Sequence, residues 1–169
     1  THMGGEFQIE TDLLAVSGGW NPTLHLTCHL NGRPRWEASL AAFVPMENAV
    51  PNLKAAGACN GGFTTLACMT EGADAARAAL THLGRNAVAV EQPKAEGMPY
   101  VITPLWQVAG KGRAWLDFAN DVTTKDVKLA AQEGYQSVEH MKRYTTQGMA
   151  PDQGKNSNIG ALAVLADST

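Results

Sequence analysis

Residues 115 to 157 read WLDFANDVTTKDVKLAAQEGYQSVEHMKRYTTQGMAPDQGKNS, and the spacing within them decides the fold of the second half of the chain. Thr123 stands before an amphipathic run with Asp126 three residues on, a capping box in which the shorter aspartate replaces the usual glutamate. That predicts a helix to about Glu133, with Val127, Leu129, Ala130 and Ala131 on or near its buried side and Gly134 as its stop. Ser137 caps a second helix, Val138 to about Thr145, which Gly148 closes. Polar and charged residues recur here at spacings that core packing alone does not require, so function is sought here first.

Toward the C-terminus, the apolar stretch from Ile159 to Ala166 predicts a third helix. Toward the N-terminus, Gly110-Lys111-Gly112 breaks the chain ahead of Ala114 to Phe118, and the apolar run from Tyr100 to Val108 is extended, with Pro104 keeping it out of a central strand. From Asn86 to Gly97 the chain turns polar and carries proline, with Val88-Ala89-Val90 as a short strand, so the domain boundary is expected there.

The first half reads differently. Phe7 to Val16 opens in alternation and ends apolar, as a strand entering a core does, and Ser17-Gly18-Gly19-Trp20-Asn21-Pro22 stops it. Asn31-Gly32 signals a turn, with Arg33-Pro34-Arg35-Trp36 opening a second arm. His25, Cys28 and His29 share a face on a helix but divide between faces on a strand, and no fourth ligand is evident, so no metal is assigned. The block from Val50 to Gly62 leads into a long helix through about Leu83, in which Ala67, Cys68, Glu71, Ala75, Ala78 and Ala79 fall at helical spacing and Gly84 is the stop. Gly57 and Gly61, in the turn before that helix, are the candidates for a nucleotide contact, because an uncapped helix N-terminus beside a glycine turn suits an anion. The alternative is an alanine-rich helix packed on a sheet with no ligand.

Composition sets outer bounds. A chain of 169 residues, 44% hydrophobic, can bury a core and fits one domain or two small ones. Three cysteines without a C-x-x-C pair suit a reducing compartment, and no run approaches the roughly 18 to 20 apolar residues of a membrane span, so a cytoplasmic location and no membrane partner are expected. Thr1-His2-Met3 reads as a cloning scar. The helix pair around Gly134 has the outline of a DNA-binding helix-turn-helix, but the net charge of -3 and the glutamates Glu133 and Glu139 oppose phosphate contact, so no nucleic-acid partner is expected.

The same helix pair lies in a longer pattern that resembles the bacterioferritin-associated-ferredoxin-like [2Fe-2S] domain. Asp121-Val122-Thr123, Gly134, Lys142-Arg143-Tyr144-Thr145, Gly148-Met149 and Gln153-Gly154 fall in register with it. The four positions that hold cluster thiolates in that family hold Asp117, Ala119, Asp152 and Ser157, so no iron-sulfur cluster is expected.

A second resemblance covers nearly the whole chain. Asp12 to Pro22, the Ala56-Gly57-Ala58 block, Asp117 to Thr123, Ser137 to His140, Lys142 to Thr146, Gly148-Met149-Ala150 and Asp152-Gln153-Gly154-Lys155 are similar to the sarcosine oxidase alpha-subunit family, whose members belong to heterotetramers. The resemblance implies an internal piece of a much longer subunit. Residues 1–3 would be the scar, 4–85 the C-terminal part of a nucleotide-binding region, 86–100 a linker and 101–169 a small all-helical domain. The fold expected is α+β: a partial dinucleotide-binding region of strands and one long helix, then a ferredoxin-like helical domain lacking its cluster.

The activity so implied is an oxidoreductase one, oxidative demethylation of sarcosine to glycine, with hydrogen peroxide formed and one carbon passed to tetrahydrofolate in a domain outside this chain. The cofactors implied are FMN at the boundary of the alpha and beta subunits and NAD in the whole alpha subunit, none of them held tightly by this piece alone. The partners implied are the beta subunit and the rest of the alpha subunit. Lys111, Lys142, Arg143, Thr145, Thr146, Gln153, Lys155 and Ser157 are the candidates for an FMN phosphate, as cationic, hydroxyl or amide donors. The alternatives are a solvated helix face, a non-catalytic assembly module, or the alpha subunit of a related opine or amino-acid dehydrogenase. No residue of this chain is assigned a catalytic role.

Overall fold

The computed structural model describes residues 8–15 and 18–169, which fall into two compact units divided between Ile102 and Thr103. In the first unit the elements are α1 (His25–His29), β1 (Pro34–Glu37), β2 (Ala42–Pro45), a short 3-10 turn (Gly57–Asn60) and α2 (Thr65–His82). In the second they are β3 (Trp115–Asp117), β4 (Val122–Thr123), α3 (Thr124–Gln132), α4 (Val138–Thr145) and α5 (Asn158–Ala166). The mixture of helices and small two-stranded sheets accords with an α+β fold.

In the first unit, β1 and β2 pair antiparallel with Arg35 opposite Val44 and Trp36 opposite Phe43, and the two rings meet edge to face at 5.0 Å. Ala41, Ala42, Val44 and Val50 are among its buried apolar residues. Helix α2 is capped by the Thr64 side chain, which accepts from Ala67 N at 3.1 Å, and Glu71 ties it to the preceding turn, its Oε2 accepting from Gly57 N at 2.9 Å and Asn60 Nδ2 at 3.0 Å. No residue of α2 is buried.

Three expectations fail in this unit, each because a strand needs a neighbour to take its backbone hydrogen bonds. Residues 8–15 form no strand, and Ile9, Leu13 and Leu14 stand 71%, 80% and 77% exposed; Phe7 and Val16, the ends of the expected strand, and Thr1-His2-Met3 lie outside the described residues. Val88-Ala89-Val90 is likewise not a strand, and both valines are exposed. The arm expected to pair across Asn31-Gly32 is instead the short helix α1, and β1 takes its partner from β2.

The second unit has its own core: Val122, Val127, Ala130, Ala131, Met141, Ala161, Val164 and Leu165, with Leu116 packed against them. Helix α3 packs against both α4 and α5. Alanines at Ala130, Ala131 and Ala161 keep the contacting faces thin, and Met141, 1% exposed, fills the space they leave. The unit is not all-helical. Trp115–Asp117 and Val122–Thr123 pair antiparallel, Trp115 opposite Thr123, with an irregularity between Trp115 and Asp117. The intervening turn reverses through Asp121 at φ 55°, and two such short strands carry no periodicity to reveal them.

Candidate functional site

The site is built on the β3–β4 ribbon. Asp117, at the end of β3, is 3% exposed, and its carboxylate is saturated by backbone donors: Oδ1 accepts from Ala119 N at 2.9 Å and Asn120 N at 3.2 Å, and Oδ2 from Gly148 N at 2.9 Å. One side chain thereby fixes both the turn after β3 and the loop after α4. Asn120 Nδ2 adds a bond to Thr146 O at 2.9 Å. Across the same loop, Gln147 Nε2 donates to Ser157 Oγ at 2.7 Å, both residues being buried, while Gln147 Oε1 has no hydrogen-bond partner.

On the solvent side the ribbon and the start of α3 form a groove of about 580 Å³ lined by Arg113, Trp115, Asp121, Thr123, Lys125 and Asp126. The Arg113 guanidinium lies 5.6 Å from the Trp115 ring centre, a cation–π placement that holds the charge at the groove wall. Asp126 is already engaged, its Oδ2 accepting from Thr123 N and the Thr123 hydroxyl, both at 2.7 Å. The charged lining is thus Arg113 and Lys125 against Asp121 and Asp126, formally balanced, with Arg113, Lys125 and Asp121 exposed. A second hollow of about 260 Å³ shares Asp121 and Asp126 and is completed by Asn120, Val122, Leu129, Tyr144 and Thr145. There the Tyr144 hydroxyl donates to Glu133 Oε2 at 2.5 Å, which raises the phenol pKa, and the Tyr144 ring stacks on Tyr135 at 4.6 Å.

The residues expected at a flavin phosphate are dispersed. Ser157 is buried and bonded to Gln147; Thr145 and Thr146 donate their hydroxyls to Met141 O and Thr145 O, at 2.8 Å and 2.6 Å. Arg143 pairs with Glu139 at 3.5 Å on the exposed face of α4. Lys142 and Thr145 line different hollows, and Lys111, Gln153 and Lys155 stand exposed. Arg113, Trp115 and Lys125 are not among the binding residues expected from the sequence, and Thr123 is expected there only as a helix cap. The signal available was the second basic residue of Lys111-Gly112-Arg113 and the lysine after Thr123-Thr124, which only the ribbon brings together.

The four positions that the ferredoxin-like resemblance aligns with cluster thiolates hold no thiol. Asp117 is saturated by N–H groups, Ala119 has no donor atom, Asp152 Oδ1 accepts from Gly154 N at 3.2 Å and Ser157 accepts from Gln147. Carboxylates, a hydroxyl and a methyl group do not replace the thiolates that such clusters require.

In the first unit, Gly57 and Gly61 take positive φ, 71° and 93°, around the 3-10 turn before α2. The turn is held by Glu71, a carboxylate that places negative charge where an anion would approach. Helix α1 brings His25, Cys28 and His29 into one turn; among the described residues there is no group of three or more His, Cys, Asp or Glu side chains placed to share a metal ion. Among them, too, no helix is long and apolar enough to cross a membrane.

Comparison with known proteins adds similarities. Residues 111–169 match the family model described as "Sarcosine oxidase A3 domain". The chain is 43% identical over 169 residues to the sarcosine oxidase subunit alpha of Rhizobium meliloti (strain 1021), a match covering 98% of this chain and 17% of that protein. It is 38% identical over 173 residues to the subunit of the same name from Corynebacterium sp. (strain P-1), covering 97% of this chain and 18% of that one. The counterpart from Corynebacterium sp. (strain U-96) is 39% identical over 174 residues, with 98% and 18% covered. The chain thus spans less than a fifth of the length of these curated relatives.

Proposed function

We propose, from the premise that this chain is related over nearly its whole length to sarcosine oxidase alpha subunits and carries their A3 domain, that it is a segment of such a subunit and that its ribbon groove receives the phosphate of a flavin mononucleotide. The complete enzyme, in this reading, oxidatively demethylates sarcosine to glycine, forms hydrogen peroxide and passes one carbon to tetrahydrofolate in another domain. It works in the cytoplasm, and the residues of the first unit contribute structure to an NAD-binding region.

The observation that carries the proposal is the groove itself. Arg113 and Lys125 line one concave surface beside Trp115, and of the carboxylates there Asp126 is held by two hydrogen bonds from Thr123. Two cations held by a ribbon and a helix start suit a dianionic phosphate, with Arg offering parallel N–H donors and Lys a point charge. The opening turn of α3 adds the positive end of the helix dipole. A groove of about 580 Å³ is ample for a mononucleotide, and Trp115 gives a flat apolar wall. The donor set therefore fits FMN. When bound, FMN supplies a site for electron transfer to oxygen; the residues of this chain hold its phosphate and orient it. Asp121, the remaining free carboxylate of the groove, repels a misplaced phosphate and thereby sets its position.

The test uses the complete complex. Each charged phosphate contact contributes about 1.5–3 kcal/mol, so replacing Arg113 and Lys125 together by alanine is expected to leave most purified complex without FMN. Arg143→Ala with Lys155→Ala serves as the comparison. Full FMN content in the groove variant overturns the assignment, and loss of FMN only in the comparison variant moves the phosphate to the side of α4.

A further inference from the structure

Gln147 is an anomaly in the second unit. It is wholly buried, 0% exposed, yet only one end of its amide is used: Nε2 donates to Ser157 Oγ at 2.7 Å, while Oε1 has no partner, the one buried side-chain polar atom in that condition among the described residues. Buried polar atoms are nearly always paired, so an unpaired carbonyl is a cost to the closed structure that contact with water would remove. The backbone beside it carries a second. Thr146, at the C-terminal cap of α4, takes φ 63°, a left-handed conformation that a β-branched residue adopts only where its surroundings hold it. Both costs sit in one loop, and both are relieved when that loop opens.

The bonds that keep the loop shut come largely from the ribbon. Asp117 Oδ2 accepts from Gly148 N and Asn120 Nδ2 donates to Thr146 O, each at 2.9 Å, so the ribbon turn grips the residues on either side of Gln147. The same Asp117 carboxylate holds the N–H groups of Ala119 and Asn120. Opening the loop therefore removes two bonds from the turn at once. The apolar core of the unit contains no residue of this loop or of the turn, so it can stay packed while they move.

We infer that residues 146–148 and the turn at 118–121 form one latch, which opens as a unit ahead of the helical core because the unpaired Gln147 amide and the left-handed Thr146 lower the free energy of opening. The latch acts on the groove. Trp115, Asp121 and Thr123 of the groove lining belong to the ribbon or its turn. A ligand that binds the closed ribbon more tightly than the open one therefore closes the loop, and closing the loop raises the affinity for that ligand by the same factor. The inference holds for any such ligand and does not depend on its being a flavin.

The experiment is amide hydrogen exchange of the full-length subunit, read by mass spectrometry on peptides covering 117–121, 146–149 and α3. In the wild type, loop and turn are expected to exchange well before α3; a loop as slow as α3 overturns the inference, because it then opens only with the whole unit. Gln147→Met combined with Ser157→Ala removes both polar partners of the buried bond and keeps an unbranched apolar side chain at 147. With the unpaired amide gone, protection of loop and turn is expected to rise together by about 5-fold or more. Unchanged or reduced protection of the loop shows that the Gln147 amide does not drive the opening, and a rise in the loop without one in the turn shows that the two do not move together; either result overturns the inference. Asn120→Ala, at a partly exposed position, decides the matter where the double variant does not fold: loss of the bond to Thr146 O is expected to speed exchange of the loop by about 2- to 10-fold, and an unchanged loop overturns the inference. No flavin is measured, so the result stands apart from the phosphate assignment above.

Discussion

Replacing Asp117 by alanine should do more damage to the second unit than any surface substitution, and the size of the effect follows from three hydrogen bonds. The Gly148 N–H is buried, so leaving it without an acceptor costs about 1–3 kcal/mol. The N–H groups of Ala119 and Asn120 lie at the surface turn, where water can replace the lost partner, and each costs roughly 0.5–1 kcal/mol. Together the loss is about 2–5 kcal/mol, against a total stability of the order of 0.05–0.15 kcal/mol per residue. At roughly 4–8 °C per kcal/mol for a small domain, the melting temperature should fall by about 10 °C or more. Asp117→Asn keeps one acceptor but presents an amide NH₂ to a backbone donor, so its loss should be intermediate. The assay is thermal unfolding followed by circular dichroism, with amide hydrogen exchange at Val127 and Ala130 to place the loss in this unit. A melting temperature of Asp117→Ala within about 3 °C of wild type would refute the assignment of the carboxylate as the tie between the ribbon and the loop after α4.

Glycines with positive φ should divide by surroundings: at Gly148 (φ 67°) an added Cβ would collide with the Asn158 side chain, whereas at Gly134 (φ 92°) it meets nothing within 4 Å, so Gly134→Ala should cost about 1 kcal/mol and Gly148→Ala clearly more in urea titration. Met141→Ala, at a position 1% exposed, should cost about 2–5 kcal/mol by the same assay, through lost burial and the cavity left behind. Tyr144 should ionise above the ordinary phenol range, because deprotonation removes its bond to Glu133 and sets two negative charges side by side. A raised folded-state pKa means that this contribution is fully present below the unfolded value near 10 and is lost as pH rises through the folded one. Glu133→Gln should return the Tyr144 midpoint, read from ring carbon shifts, toward about 10.

The helices of the second unit are legible because their ends carry local chemistry. Thr123 with Asp126, and Ser137 with the backbone of His140 at 3.3 Å, cap α3 and α4 as their side chains indicate. Helix α5 is legible from apolar composition, and α2 from its run of alanines ended by Gly84, whose φ is 65°. What is not legible depends on distant pairing. The β3–β4 ribbon is too short to show alternation, and Phe7 to Val16 has the apolar content of a strand without a partner that makes one in residues 8–15. The groove follows the same rule: Arg113 and Lys125 join one surface only because Trp115 pairs with Thr123. Asp117 is visible in the sequence as a position that the ferredoxin-like resemblance aligns with a thiolate, but its bond to Gly148 N, 31 residues away, belongs to tertiary structure.

The most direct test of the flavin assignment is the preference of the complete complex for FMN over riboflavin, which differ only in the phosphate, measured by equilibrium dialysis before and after Arg113→Ala. If Arg113 holds the phosphate, affinity for FMN falls by about tenfold or more while that for riboflavin barely changes, so the preference shrinks. If both ligands keep their wild-type affinities, or weaken equally, the ribbon groove does not bind the phosphate and the account of this site is wrong.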